Sequence, residues 1–206
     1  MSCTVLPNGS GESPRQTLDT DSTGITYVED TTCASCHPAA YDAWTNSHHD
    51  LAMQAATPET VLGNFDDITF EHFGVRSRFF QRDGRFFVNT EGSDGELDDF
   101  ELTYTFGVEP LQQYLAPFPG GRLQSLSIAW NTEENEWFHL YPDEPIRPGD
   151  PLHWTGRYQN WNLMCAACHS TELRKQYSLD TDTYQTTWAA INVSCQACHG
   201  PGAEHL

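Results

Sequence analysis

The chain contains few basic residues. Lysine occurs once, at Lys175, and nine arginines bring the basic total to 10, against 29 aspartates and glutamates. The formal net charge of −19 argues against nucleic acid as a partner. An acidic surface favours encounter with a basic partner protein, but it also fits simple solubility or adaptation to a salty habitat.

Long apolar runs are absent as well. The sequence contains no uninterrupted run of about 18 apolar residues, so we expect no transmembrane helix. The first thirty residues are polar, and no secretory signal is visible in them. Only 38% of the residues are hydrophobic, which leaves a thin core for a chain of 206 residues, although 6 Trp, 8 Tyr and 11 Phe are available to fill it.

One five-residue pattern, Cys-x-x-Cys-His, occurs three times. The three copies span Cys33 to His37, Cys165 to His169 and Cys195 to His199, and they use six of the seven cysteines. Two thiols at this spacing form thioethers with the vinyl groups of one porphyrin, and the adjacent histidine supplies the proximal ligand to iron. The sequence therefore predicts three covalently bound haem c groups. Their cofactor-binding cysteines are Cys33, Cys36, Cys165, Cys168, Cys195 and Cys198, and their proximal iron ligands are His37, His169 and His199.

Zinc is the alternative cofactor. Cys165, Cys168, Cys195 and Cys198 form two Cys-x-x-Cys pairs that could hold a tetrahedral ion, although the gap between the pairs is long for such a site. A zinc site would leave the three motif histidines and the Cys33 and Cys36 pair unused. Because histidine fills only 9 of 206 positions, its recurrence after all three pairs favours haem.

Three porphyrins would also complete the thin core, since each is a large apolar disc against which side chains pack. We expect an α+β fold: a haem-packed, largely irregular and helical cytochrome core with a β-rich insert between the first and second haem motifs. The predicted organisation is a flexible lead over residues 1–27 and a trihaem domain over 28–206, with the insert at about 70–141.

Local patterns predict individual elements. Apolar residues at spacings of three and four predict a helix from Cys33 to about Thr57, and Asp83-Gly84 predicts a β-hairpin. Alternation predicts a strand from Asp99 to Phe106. We further expect strands at Leu123 to Trp130 and Trp137 to Tyr141, a helical turn at Pro110 to Leu115, and a short helix from Tyr184 to Ile191.

More histidines remain than the irons need. The six outside the motifs are His48, His49, His72, His139, His153 and His205. In a helix continuing to Ala55, His49 would lie about 18 Å from His37. Two nitrogens on one iron are only about 4 Å apart, so His49 should bind a haem other than the first. His205 follows a Gly-Pro-Gly break and should also bind a haem other than its neighbour. His153 is free to fold over a porphyrin, and Met53 is a minor alternative ligand.

Several stretches resemble known families. The first motif followed by Trp44, Ser47 and His49, and the last motif followed by Gly200-Pro201-Gly202 and His205, resemble multihaem cytochromes related to the tetrahaem cytochrome of ammonia oxidisers. Residues 48–53, 105–115 and 153–156 resemble, more closely, the cytochrome module that precedes tetratricopeptide repeats in large bacterial multihaem proteins. The sequence contains no such repeats.

This resemblance covers about residues 27–206. It implies bis-histidine, low-spin haems and electron transfer outside the cytoplasm. By position it supports His49, His153 and His205 as distal iron ligands, with His139 and His72 in reserve.

The predicted function is electron transfer by a trihaem c-type cytochrome, as a carrier and not an enzyme, in a respiratory or extracellular relay. Its partners would be redox proteins, including basic ones. The alternatives are a haem enzyme with one open iron that acts on a small nitrogen or oxygen species, and a subunit of a haem-stacked filament made of copies of this chain.

Localisation follows from the cofactor, because c-type haem is attached outside the cytoplasm. We therefore expect a periplasmic or extracellular protein whose leader is not visible. Cys3 is the one cysteine outside the motifs. A lipid on Cys3 would be the only expected membrane contact, and a free or intermolecularly paired thiol is the alternative.

Overall fold

The computed structural model describes residues 26–206. The predicted lead, residues 1–27, lies almost entirely outside this range, and so does Cys3. Within the described residues the helices are short, and each haem motif lies on or beside one of them. They are α1 (Asp30–Ala34), α2 (Pro38–Trp44), α3 (Trp161–Met164), α4 (Ala166–His169) and α5 (Cys195–His199), together with 3₁₀ turns at Asp50–Ala52, Pro119–Gly121 and Arg157–Gln159.

Most of the regular structure in residues 26–206 is β. The strands are β1 (Met53–Ala55), β2 (Ile68–His72), β3 (Val75–Arg82), β4 (Arg85–Glu91), β5 (Leu97–Leu102), β6 (Tyr104–Phe106), β7 (Leu111–Phe118), β8 (Arg122–Ser125), β9 (Ile128–Asn131), β10 (Glu136–His139), β11 (Tyr177–Ser178) and β12 (Thr183–Tyr184). Short helices around the motifs and sheets between the first and second of them confirm the α+β class.

Four strands form an antiparallel meander in the order β2, β3, β4, β5. Its central hairpin turns at Asp83 and Gly84, where φ is +53° and +73°, and Arg82 pairs with Arg85. Two consecutive residues with positive φ make a turn whose twist matches that of the flanking strands, which is why Asp-Gly predicts it. The predicted hairpin is confirmed.

A second sheet contains six antiparallel strands, in the order β1, β6, β7, β9, β10, with β8 also paired to β7. Successive side chains of β7 point to opposite faces, as in any strand. Tyr114 and Ala116 pack into one hydrophobic cluster, whereas Leu115 packs into another. This sheet therefore separates two cores.

The first core lies mainly in the insert and is rich in aromatic residues. Phe79 stacks on Trp137 with ring centroids 3.7 Å apart, and Phe65 packs edge-on against both. The second core lies on the side of the haem motifs and contains Phe106, Leu115, Trp161 and Trp188, with Cys165 at its edge. The β-rich segment thus has its own hydrophobic core.

Three predicted elements are wrong. The helix expected from Cys33 to about Thr57 is interrupted between Ala34 and Pro38 and ends at Trp44, and its far end, β1, pairs with β6 through Met53 and Phe106. The helical turn expected at Pro110 to Leu115 is largely strand β7. The helix expected from Tyr184 to Ile191 is replaced by β12 and by isolated bridges, such as that between Thr171 and Ala190. In all three cases pairing with distant residues overrides the local pattern.

No helix within residues 26–206 has both the length and the apolar character needed to cross a membrane.

Candidate haem-binding site

Each motif forms a helical turn that places its two cysteines on one side. The third motif is α5 itself, which begins after Ser194, whose hydroxyl oxygen accepts from the Gln196 amide at 3.1 Å. In the first motif the His37 amide donates to the Cys33 carbonyl at 2.9 Å. Residues three apart share a helix face, so both thiols of a motif can reach one porphyrin edge.

The six motif cysteines are free thiols, none joined in a disulfide. In each motif the first cysteine is half-buried and the second is exposed. Burial raises the pKa of the Cys165 thiol, and it does the same for Cys195. Free thiols on a helical turn, followed by a histidine, are the donors that covalent haem attachment requires, so the residues fit this cofactor.

The structure does not support the zinc alternative. Within residues 26–206, the only His, Cys, Asp or Glu ligand atoms that gather in a group of three or more within 4.8 Å of one another are those of Asp30, Cys33 and Cys195. The four sulfur atoms of the second and third motifs therefore do not form a tetrahedral set.

The same group shows that the first and third motifs lie side by side. Helix α1 contacts α5, and the sulfur atoms of Cys33 and Cys195 lie within 4.8 Å of each other. Burial raises the pKa of Asp30, while hydrogen bonds from Cys195 and Ser194 act in the opposite direction. Two porphyrin attachment points belonging to different motifs are thus brought into contact.

His37 faces His205. Their ring centroids are 6.1 Å apart and their planes differ by only 22°. An iron between two imidazoles, with metal–nitrogen distances of about 2 Å, separates the ring centroids by about 6 Å once the distance from nitrogen to ring centre is added on each side. The spacing therefore fits one iron, and it is too wide for direct stacking of the rings.

The second motif borders a cavity of about 270 Å³. The cavity is lined by His48, His49, Cys168 and His169. His169 Nδ1 lies 3.0 Å from the Ala52 carbonyl oxygen, to which it can donate, and this leaves Nε2 for a metal. Both histidines are exposed, but His48 lies 3.7 Å from the Glu109 carboxylate, which leaves His49 as the one without this competing contact.

The third motif has no comparable partner. Within the part of the chain that the structure describes, no ring contact places another histidine against His199. The two reserve histidines, His72 and His139, stack on each other with centroids 3.9 Å apart, which leaves no room for an iron between them.

His153 lies among different residues. It is 5% exposed and lines a cavity of about 40 Å³ at the edge of the insert, together with His72, His139 and Glu91. Burial, and then the neighbouring His72, lower the pKa of His139 to about 4, and burial also lowers the pKa of His153. None of the contacts of His153 involves a haem motif, so its role as a distal ligand stays a prediction.

Met53, the minor alternative ligand, is fully buried in the second core.

The family model for cytochrome c554 and c-prime matches residues 32–66 and 153–200, roughly two fifths of the chain, and these segments contain all three motifs. The crystal structure of the outer cell wall cytochrome OcwA matches with a TM-score of 0.55 at 20% identity. No curated protein matches the chain. In these comparisons the chain is similar to multihaem c-type cytochromes.

The OcwA match covers 87% of this chain but 32% of OcwA, so the chain spans about a third of the length of that cytochrome. At this identity the likeness shows a shared fold. The two matches leave the predicted link to tetratricopeptide-repeat proteins untested, and it stays a prediction.

Sequence reasoning missed two residues that support the site. Asp30 lies between the first and third motifs, and the Ala52 carbonyl accepts from His169. Asp30 precedes Cys33 by one helical turn, but nothing in the sequence relates it to Cys195. The Ala52 carbonyl could not be recognised from the sequence, because every residue has a backbone carbonyl.

Proposed function

We propose that this cytochrome is a trihaem electron relay that works outside the cytoplasm. The observation that carries the proposal is the pairing of His37 with His205 across a gap that fits one iron. An iron held by two protein nitrogens has no free position for a substrate, so it is suited to electron transfer and not to catalysis.

The chain's own residues provide the remaining features of a relay. A haem bound at each motif supplies an iron that gains and loses one electron. The cysteines fix the positions, and contact between α1 and α5 sets two of them side by side. His169 is oriented by the Ala52 carbonyl, and His49 lines the same cavity. Because His205 follows the third motif and faces the first, the chain also ties two attachment sites together.

The acidic surface supports encounter with a basic redox partner. Export is supported by the chemistry of haem attachment, and the OcwA fold is that of a protein described as an outer cell wall cytochrome. The donor and acceptor are therefore proposed to be redox proteins on the outer side of the cytoplasmic membrane.

One observation favours a second function. His199 has no histidine against it among residues 26–206, so the third iron would keep one position open to a small nitrogen or oxygen species. Such a cytochrome would combine two closed irons for electron transfer with one reactive iron.

The test begins with a haem count. A pyridine haemochrome assay on the purified holoprotein should give three haems per chain. His205→Ala and His49→Ala should each convert one haem from low spin to high spin in the electron paramagnetic resonance spectrum. His48→Ala, which removes the exposed neighbour of His49, is the matched control and should leave the spectrum unchanged. A count below three, or an unchanged His205→Ala spectrum, would contradict the relay as proposed.

Carbon monoxide separates the two functions. With three closed irons, the ferrous protein binds none. Binding of one equivalent in the unaltered protein would support the open third iron.

A further inference from the structure

Residues 192–194, immediately before the third motif, lie between two segments that meet at the second motif. The turns over residues 45–52 carry His49, and the segment that follows His169 carries Thr171. His49 and His169 line the same cavity. Both segments are hydrogen-bonded to residues 192–194, and covalent attachment of haem does not require these bonds.

Thr171 holds residues 192–194 from the side of His169, which it follows by two positions. It is 1% exposed, and its hydroxyl donates to the Asn192 carbonyl at 2.8 Å and accepts from the Ser194 amide at 2.9 Å. The Thr171 amide donates to the Ala190 carbonyl at 2.9 Å. A buried hydroxyl that both donates and accepts is fixed in orientation. The position of Asn192 is therefore tied to the segment of His169.

The side chain of Asn192 holds the turn that carries His49. Its Nδ2 donates both to the Asp50 carbonyl and to Oδ1 of the Asp50 carboxylate, each at 2.9 Å. The other carboxylate oxygen accepts from the Asn46 amide at 2.8 Å. The Val193 amide donates to the His49 carbonyl at 3.1 Å. The backbone around His49 is thus fixed by hydrogen bonds from Asn192 and Val193, and bonds to an ionised carboxylate are the stronger kind.

The histidine rings depend on this turn. The His49 side chain is exposed, and within residues 26–206 its ring has no hydrogen bond or ring contact of its own. Its direction is therefore set by its backbone. The same turn carries the Ala52 carbonyl, which lies 3.0 Å from Nδ1 of His169.

We propose that Asn192 is a positioning residue that sets the gap between the two axial ligands of the haem at the second motif. Its carbonyl is held on the side of His169, and its side chain holds the turn on the side of His49. The inference rests on the proposed pairing of these two histidines at one iron. Because the cysteines alone attach the porphyrin, loss of the Asn192 amide should release His49 from the iron and leave all three haems in place.

The experiment uses the purified holoprotein. Asn192→Asp sets a second carboxylate against that of Asp50. It should convert one haem from low spin to high spin in the electron paramagnetic resonance spectrum, with the haem count still at three. The ferrous variant should bind one equivalent of carbon monoxide more than the unaltered protein. Asn89→Asp is the matched control, because the Asn89 amide donates to the Asp99 carboxylate at 2.9 Å in the insert, and it should change neither reading.

Two double variants distinguish positioning from general loss of structure. Asp50→Asn combined with Asn192→Asp exchanges the amide and the carboxylate, and it should recover at least about half of the lost low-spin signal. In the His49→Ala background, Asn192→Asp should change neither reading further, because the ligand that it positions is already gone. No recovery in the exchanged pair, or a further low-spin loss in the His49→Ala background, would show that the substitution disturbs the neighbouring third motif and would overturn the proposal.

The single variants separate this inference from the relay. If His49→Ala gives a high-spin haem and Asn192→Asp does not, the positioning role is overturned and the relay stands. If His49→Ala leaves the spectrum unchanged, the pairing itself is wrong, and the role of Asn192 is overturned together with the assignment of His49.

Discussion

The insert and the haem-bearing part of the chain are stabilised in different ways. Helices α1 and α2 bury none of their side chains, and α4 and α5 bury one each. Strand β4, by contrast, buries four of its seven residues, among them Phe86, Phe87 and Val88. The β-rich insert therefore has a conventional core, whereas α1, α2, α4 and α5 contribute mainly attachment chemistry.

This contrast indicates what holds each part together. Burial of apolar surface drives the folding of the insert. The short helices lack such burial and are too short to be stable alone. We infer that porphyrins supply the missing apolar surface around α1, α2, α4 and α5, so that haem attachment and folding are coupled there.

The largest expected effect comes from preventing haem attachment. Replacing all six motif cysteines by alanine should leave strands β3 and β4 protected from amide hydrogen exchange, while helices α1, α2 and α5 exchange at close to unfolded rates. Mass spectrometry of exchanged peptides measures both regions in one experiment, with the holoprotein as control. Equal protection of the two regions would show that the haem-bearing part folds without its cofactor.

The next effect is confined to the insert. Trp137→Ala removes a ring that is 7% exposed and stacks on Phe79, and it should cost about 3–5 kcal/mol of unfolding free energy. Leu97→Ala, at a position 56% exposed, is the control and should cost less than about 0.5 kcal/mol. Denaturant unfolding followed by circular dichroism and by haem absorbance tests whether the insert melts before the haem environment changes.

A smaller loss of stability is expected where the insert meets the haem-bearing part, at Asn162. Asn162 is fully buried; its side-chain oxygen accepts from the Leu123 amide at 2.7 Å, and its nitrogen donates to Thr186 at 2.8 Å. Asn162→Ala leaves these groups unpaired and should cost about 1–3 kcal/mol.

The ion pair of Arg122 at the same junction can be compared with the buried hydrogen bonds of Asn162. It pairs with Asp182 at 2.5 Å, but the Asp182 side chain is 69% exposed. Because solvent screens this pair, Arg122→Ala should cost less than about 1 kcal/mol. If the Arg122 substitution proved the more costly, the surface ion pair and not the buried amide would join the two parts.

The β-hairpin that the sequence predicted correctly has a local cause, because Asp83-Gly84 defines its own turn through two positive φ angles. The Cys-x-x-Cys-His motifs are also local patterns, and their individual haem ligands stay a prediction. The charge and the scarcity of apolar residues likewise follow from composition alone.

The wrong predictions concern segments whose secondary structure is set by pairing with residues far away in the sequence. The stretch around Met53 has apolar spacings that suit a helix, yet its backbone pairs with Phe106. Leu111 begins a strand because it pairs with Asn131, twenty positions later along the chain. The cavity shared by Glu91, His139 and His153 depends on the packing of three segments, which no short window reveals.

The contact between the rings of His37 and His205 has a consequence for the order in which the haem sites are assembled. In an exported chain that is threaded from its amino end, the first attachment site would reach the outer compartment about 170 residues before its proposed second ligand. Until His205 arrives, the first site has a single protein ligand and is exposed to competing ones. The attachment site that is made first would thus be completed only after the chain as far as His205 has been exported and folded.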